Sequence, residues 1–166
     1  NPYYVLVGQQ LADDHVGMRV TMQYVLWDYF RELGEKHVGG HKVVREDEEG
    51  EEYDVHVGER LRKLLHMARA YGYWIARGAL TLLVLKTVDF TALHEAGTLF
   101  LQHLLLHTFL MSQTRLPMLT PRARQNLMRA PSQVDRERIE QLLVRGTVGQ
   151  PRLAQGLFCL LYTSDA

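Results

Sequence analysis

The stretch VGMRVTMQYVLWDYFRELG, residues 16–34, decides the reading of the chain. Met18, Met22, Val25, Leu26, Tyr29 and Leu33 recur in it at spacings of three and four, the repeat of one face of an α-helix. Gly34 follows in the place where a left-handed residue closes a helix. Asp13-Asp14 separates this segment from an earlier helix opened by Asn1-Pro2, since Asn caps and Pro at the first helical position gives up no needed N–H.

The same periodicity extends downstream. Leu61, Leu64, Leu65 and Ala68 predict a helix over about 58–71 that Gly72 stops, and residues 73–85 read as a helix apolar on nearly all sides. Thr91 suits the N-cap of a helix reaching about Ser112, with Leu93, Phe100, Leu101, Leu104, Leu105 and Phe109 buried. Thr120-Pro121 opens a short basic helix to Arg129. Ser132 and Asp135 resemble a capping box for a helix to Arg145 ended by Gly146, and another helix begins at about Arg152. Between residues 35 and 57 the periodicity vanishes, and Gly39-Gly40 with the run Glu46-Asp47-Glu48-Glu49-Gly50-Glu51-Glu52 predicts a disordered acidic loop. No strand-type alternation competes. The expected fold is all-α, six to eight antiparallel helices joined mostly by short turns, with pairs spaced as in a stack of helical hairpins.

Composition narrows the function classes. At 166 residues, 46% hydrophobic and 23% charged, the chain suits one ordinary domain or a slice of a longer protein, and the absence of an initiating Met favours the slice. Its single cysteine, Cys159, excludes an internal disulfide framework and a multi-cysteine zinc site. No stretch of about 20 residues lacks charge and histidine, which argues against a membrane-spanning helix. The net charge of zero hides a split: residues 1–55 hold 12 acids and 5 bases, while residues 56–166 hold 14 bases and 7 acids. Such asymmetry bears on partners and solubility rather than on fold.

Chemistry-bearing motifs are sparse. There is no phosphate-cradling glycine loop, no nucleophile elbow and no H-E-x-x-H pattern. His103 and His107, four apart on one helix, have the spacing of a metal-binding pair but lack an evident third ligand; they support a histidine–metal enzyme only as a remote alternative. The arginines are denser. From Arg115 to Arg152 eight arginines meet three acids, and Arg122, Arg124, Arg129, Arg136 and Arg138 are the candidate nucleic-acid contacts because a guanidinium fork donates two hydrogen bonds to a phosphate. Arg138 and Arg145, seven apart, share a helix face. No aromatic residue lies in this span, so RNA binding through it would be led by the backbone and sensitive to salt. A solvated, salt-bridged helix face accounts for the same residues equally simply.

Three ordered motifs carry a family resemblance. They are Asn1-Pro2-Tyr3-Tyr4, then Arg19-Val20-Thr21-Met22-Gln23-Tyr24-Val25-Leu26-Trp27-Asp28, then Val84-Leu85-Lys86-Thr87-Val88-Asp89-Phe90. This resembles the nucleolar MIF4G-domain proteins of the suppressor-of-glycerol-defect type, with their N-P-[FY]-[FY] start, F-Q-[FY]-x-[LI]-W-D helix and L-K-x-[VI]-[ED]-F connector. Met22 stands where the family has an aromatic. The resemblance implies that residues 1–112 are the C-terminal part of an MI domain with following helices, that 113–158 are a basic helical segment, and that the MIF4G domain lies upstream. The final residues, 159–166, resemble translated adapter DNA and are expected to be a non-native tail.

The resemblance further implies a HEAT-like, non-catalytic scaffold without cofactor or small-molecule substrate. Its place would be the nucleolus, where it would serve small-subunit ribosome biogenesis by binding a DEAD-box RNA helicase and pre-ribosomal RNA, away from any membrane. A translation-initiation adaptor of MI/MIF4G type is the alternative. Trp27 and Asp28 are the candidate partner contacts within this reading.

Overall fold

The structure, a computed structural model, describes residues 2–35, 38, 53–115, 122, 125 and 134–163. It is all-helical, with no strand among the described residues. Among the described residues six helices can be bounded and pack together: α1 (Pro2–Asp14), α2 (Val16–Glu32), α3 (Tyr53–Ala76), α4 (Glu95–Ser112), α5 (Arg136–Thr147) and α6 (Pro151–Thr163). A single 3-10 turn, Leu82–Leu85, lies between α3 and α4. None of these helices is long and apolar enough to cross a membrane among the described residues.

The stripe read from residues 16–34 is the buried face of α2: Met22, Leu26, Trp27, Tyr29 and Phe30 all lie in the core. α2 ends as its sequence demands. Gly34 adopts φ +97°, its N–H donates to Arg31 O, and the N–H of Glu35 reaches back to Phe30 O at 3.0 Å. This double closure needs a left-handed residue, which only glycine supplies without strain.

Packing departs from the sequence reading at Gly72. The helix expected to stop there runs on as α3, a 24-residue rod. It begins at Tyr53, about five residues earlier than periodicity suggested, and ends before Gly78 (φ +81°). A Cβ on Gly72 would sit 2.8 Å from His107 Cβ and 3.0 Å from Leu104 O of α4. The glycine is there because two helix backbones meet on it. What read as a fully apolar helix over 73–85 is thus the end of α3, a turn and the short 3-10 segment.

That substitution of a turn for a helix sets directions. α2 runs antiparallel to α3, since Tyr71 contacts Met22 while Lys63 contacts Glu32. α2 also runs antiparallel to α4, with Phe30 on Phe100 and Glu35 on Gly97. α3 and α4 therefore run side by side in the same direction within the antiparallel stack, and the C-terminal ends of both arrive at one place.

Aromatic residues fasten the layers. Phe100 of α4 meets Tyr29 and Phe30 edge-on, each with centroids 5.2 Å apart. Three buried or half-buried polar tips each donate to a backbone carbonyl of another element: Trp27 Nε1 to Val84 O at 2.9 Å, Tyr71 Oη to Met22 O at 2.6 Å, and Trp74 Nε1 to Val5 O at 2.9 Å. Burying these rings contributes apolar area while leaving no donor unpaired. Met22 is itself buried and lends its carbonyl to Tyr71.

Other expectations need correction. Thr91 does not cap α4; its N–H and hydroxyl both donate to Asp89 in a local turn. α4 starts four residues later, and the buried Glu35 carboxylate accepts from His94 N at 2.8 Å. That acceptor comes from α2's end, 59 residues away, and meets the positive end of α4. Gly146 does not end α5 but lies within it, pressed on Leu82. Asp135 alone is the N-cap, accepting from Arg138 N at 3.2 Å. α6 runs from Pro151 through Thr163, with Leu160 buried, and so includes the first residues of the segment 159–166. At the margins of the acidic loop, Glu35 and Val38 are buried; residues 36–37 and 39–52 lie outside the described residues.

The close approach at Gly72 makes a stability prediction. Gly72→Ala should lower the unfolding free energy by about 1–3 kcal/mol through overpacking, despite a better helix former. Gly58→Ala on the same helix faces open space and should raise stability by about 0.5–1 kcal/mol. Urea unfolding of both variants checks the pair of signs.

Burial also fixes an alkaline limit. Burial, with Glu32 nearby, pushes the Tyr29 hydroxyl up to about 12, and burial raises Tyr71 as well. A raised folded-state value means stability that is complete below about pH 10, the ordinary tyrosine value, and lost as pH climbs through about 12. Denaturant midpoints should hold to about pH 10 and then fall, and Tyr29→Phe should fall less steeply; identical curves for the two proteins would contradict this assignment.

Candidate functional site

The convergence of helix ends builds a basic pocket. Arg77 sits just past α3 and sends Nη2 to Thr114 O at 2.6 Å, with its guanidinium 5.4 Å over the Tyr73 ring. At the end of α4, Gln113 pairs with the Asp135 backbone in both senses: Asp135 N donates to Oε1 at 2.6 Å, and Nε2 donates to Asp135 O at 3.2 Å. This clasp ties the start of α5 to the end of α4. Arg138 then reaches Ser112 O with Nη1 at 3.2 Å while its Nε lies 3.2 Å from Asp135 Oδ2.

The resulting cavity has a volume of about 290 Å³. Four arginines line it: Arg77 from the end of α3, Arg115 from past α4, and Arg138 and Arg145 both from α5, with Ser112 and Gln141 beside them. Ala76 and Leu142 supply its apolar wall; among the described residues no acid lines it, and Asp135 pairs with Arg138 beside it. Arg77 and Arg138 offset the partial negative charge of the helix C-termini by binding carbonyls. Arg115 and Arg145 have no acid partner among the described residues.

The sequence-derived candidates separate here. Arg138 enters the pocket, and so does Arg145 one helical face-repeat later. Arg136 is exposed at the start of α5 but outside the cavity, and Arg122 is exposed. Arg124 and Arg129 lie outside the described residues, as does most of the basic helix expected over 120–129. Trp27 is only 9% exposed and spends its N–H on Val84. Asp28 beside it is exposed and pairs with Arg31, whose Nη2 donates to Val38 O at 3.1 Å.

Arg77 escaped the sequence reading altogether. Its signal was the Arg-Gly pair at a helix end, hidden because Gly72 was read as the stop. His103 and His107 stack one turn apart with centroids 6.4 Å apart, and His107 is buried where α4 meets Gly72. No group of three metal-ligating side chains occurs among the described residues.

A second surface is apolar. On α1, Tyr3, Tyr4, Val7 and Leu11 are exposed, Tyr4 by 77%; on α2, Val16, Val20 and Tyr24 are exposed at spacings of four. These stripes face away from the core that the same two helices help to build.

Comparison with known proteins gives one relationship. Over 101 residues the chain is 28% identical to Suppressor of glycerol defect protein 1 of Schizosaccharomyces pombe, a match covering 61% of this chain and 11% of that protein. The matched region spans about a tenth of the relative's length, and the similarity supports a related family. No family model matches the chain. No solved structure matches it.

Proposed function

We propose that this chain is a segment of a non-catalytic helical scaffold, related to the fission-yeast protein, that works by docking macromolecules. The similarity to that protein carries the reading. The all-helical stack and the exposed apolar stripes of α1 and α2 support it, because rows of exposed Tyr, Val and Leu on a helix pair suit packing against another protein. Trp27 contributes from below, by holding α2 in place through Val84, rather than by touching a partner.

The finer reading follows the three ordered motifs. The partner on α1 and α2 is a DEAD-box RNA helicase, the compartment is the nucleolus, and the process is small-subunit pre-rRNA processing, with pre-ribosomal RNA held nearby. Cofactors and small-molecule substrates play no part in it.

Affinity purification of the full-length protein from nucleolar extract tests this. A DEAD-box helicase should copurify, and a triple change on the exposed stripes, Tyr4→Glu, Val7→Asp and Tyr24→Asp, should reduce its recovery by roughly tenfold, as loss of interface anchors does. Recovery of translation-initiation factors instead would favour the initiation-adaptor alternative, and recovery without any helicase would remove the reading.

A further inference from the structure

We propose that the pocket formed by Arg77, Arg115, Arg138 and Arg145 binds successive phosphates of single-stranded RNA. The inference rests on the scaffold reading only in taking RNA as the polyanion at hand; the site itself follows from the geometry.

Helix capping explains half of the cluster. Arg77 and Arg138 bind Thr114 O and Ser112 O. It leaves Arg115 and Arg145 unexplained, since both line the same 290 Å³ cavity with no acid in its wall. Asp135 offsets the charge of Arg138; the other three guanidinium groups repel one another, and an anion between them relieves that cost. Their forked donors match phosphate oxygens in pairs. Ser112 and Gln141 line the cavity too, but the Ser112 hydroxyl donates to Phe109 O and the Gln141 amide to Glu137 Oε1, so the arginines carry the recognition.

Charge and spacing favour a polymer over a single phosphate. Asp135 pairs with Arg138, and a phosphoserine, with about −1.5 to −2 charges, still falls short of the other three arginines. Arg138 and Arg145 leave α5 at positions about 10 Å apart along its axis, from seven residues at about 1.5 Å each, so the basic lining extends along the helix. A phosphodiester chain running along α5 toward the ends of α3 and α4 serves each in turn. The wall holds no aromatic ring on which a base would stack. Recognition is therefore of the backbone, without sequence preference.

The test uses the intact 166-residue chain and a fluorescent oligouridine of about 12 nucleotides, within the size range of known single-strand sites. Anisotropy titrations are run over about 50–200 mM KCl. The double variant Arg115→Gln/Arg145→Gln, which disturbs neither carbonyl contact, should bind about tenfold more weakly and lose about 1.4 from the salt slope, two phosphates at about 0.7 each. Arg136→Gln, exposed on the same helix but outside the pocket, should change affinity less than about twofold. Circular dichroism verifies folding; should the double variant unfold, Arg115→Gln alone should still lose about 0.7 of slope.

Unchanged affinity and slope overturn the proposal. So does an equal effect from Arg136→Gln, which would mean diffuse charge rather than a site, or binding of a phosphoserine peptide with no binding of RNA. The pocket variants should retain the helicase in the purification described above, so failure of one reading is distinguishable from failure of the other.

Discussion

The structure depends on two helix backbones being able to touch. At Gly72, α3 approaches α4 so closely that a single methyl group would overlap His107 Cβ. Contact at that range lets Phe100, Leu101 and Leu104 of α4 bury fully against the aromatic face of α2 and the stripe of α3. It also fixes the pair in one direction. Two helices running the same way end together, and their unsatisfied carbonyls gather in one region. Arginines answer that concentration of negative potential: Arg77 takes Thr114 O and Arg138 takes Ser112 O. The basic pocket is thus a consequence of the helix crossing, completed by Arg115 and Arg145.

Much of this was legible in the sequence, and the failures share a cause. The α2 stripe, the Gly34 closure and the helical class depend on local rules, and each is legible in the sequence; Asp13 and Asp14 are instead the last residues of α1, and His15 takes the N-cap position of α2. Gly72 and Gly146 were read as stops because glycine weakens helices locally; both serve instead as points where another element presses in. Sequence alone does not separate these two uses of the residue. Thr91 had the right chemistry for a cap, but Glu35 supplies the acceptor from 59 residues away. A long-range carboxylate leaves no local signature. The arginine cluster was visible as composition, while its assembly was not, since Arg77 lies 38 residues before Arg115 and joins it only through the parallel pairing.

The division of labour between inside and outside is sharp in residue terms. Trp27, Tyr71 and Trp74, the most conspicuous aromatic residues, are spent on joining α2, α3, α1 and the 3-10 turn through single hydrogen bonds to carbonyls. Tyr3, Tyr4 and Tyr24 stay on the surface. Two faces remain for partners: apolar stripes on α1 and α2, and the arginine pocket where α3, α4 and α5 meet. In the scaffold proposed above, selectivity would reside in the shape and charge of these two separate surfaces.

The shared direction of α3 and α4 is the claim on which the pocket stands, and spin-label distances measure it most directly. Glu59 and Glu95 are exposed near the two N-terminal ends, and Arg115 is exposed past the C-terminal end of α4. Pulsed electron paramagnetic resonance should find the 59–95 pair closer than the 59–115 pair by on the order of 15–20 Å, given about 1.5 Å of rise per residue along α4. The reverse order would mean an antiparallel pair, with Arg77 and Arg115 at opposite ends of the molecule and no pocket between them.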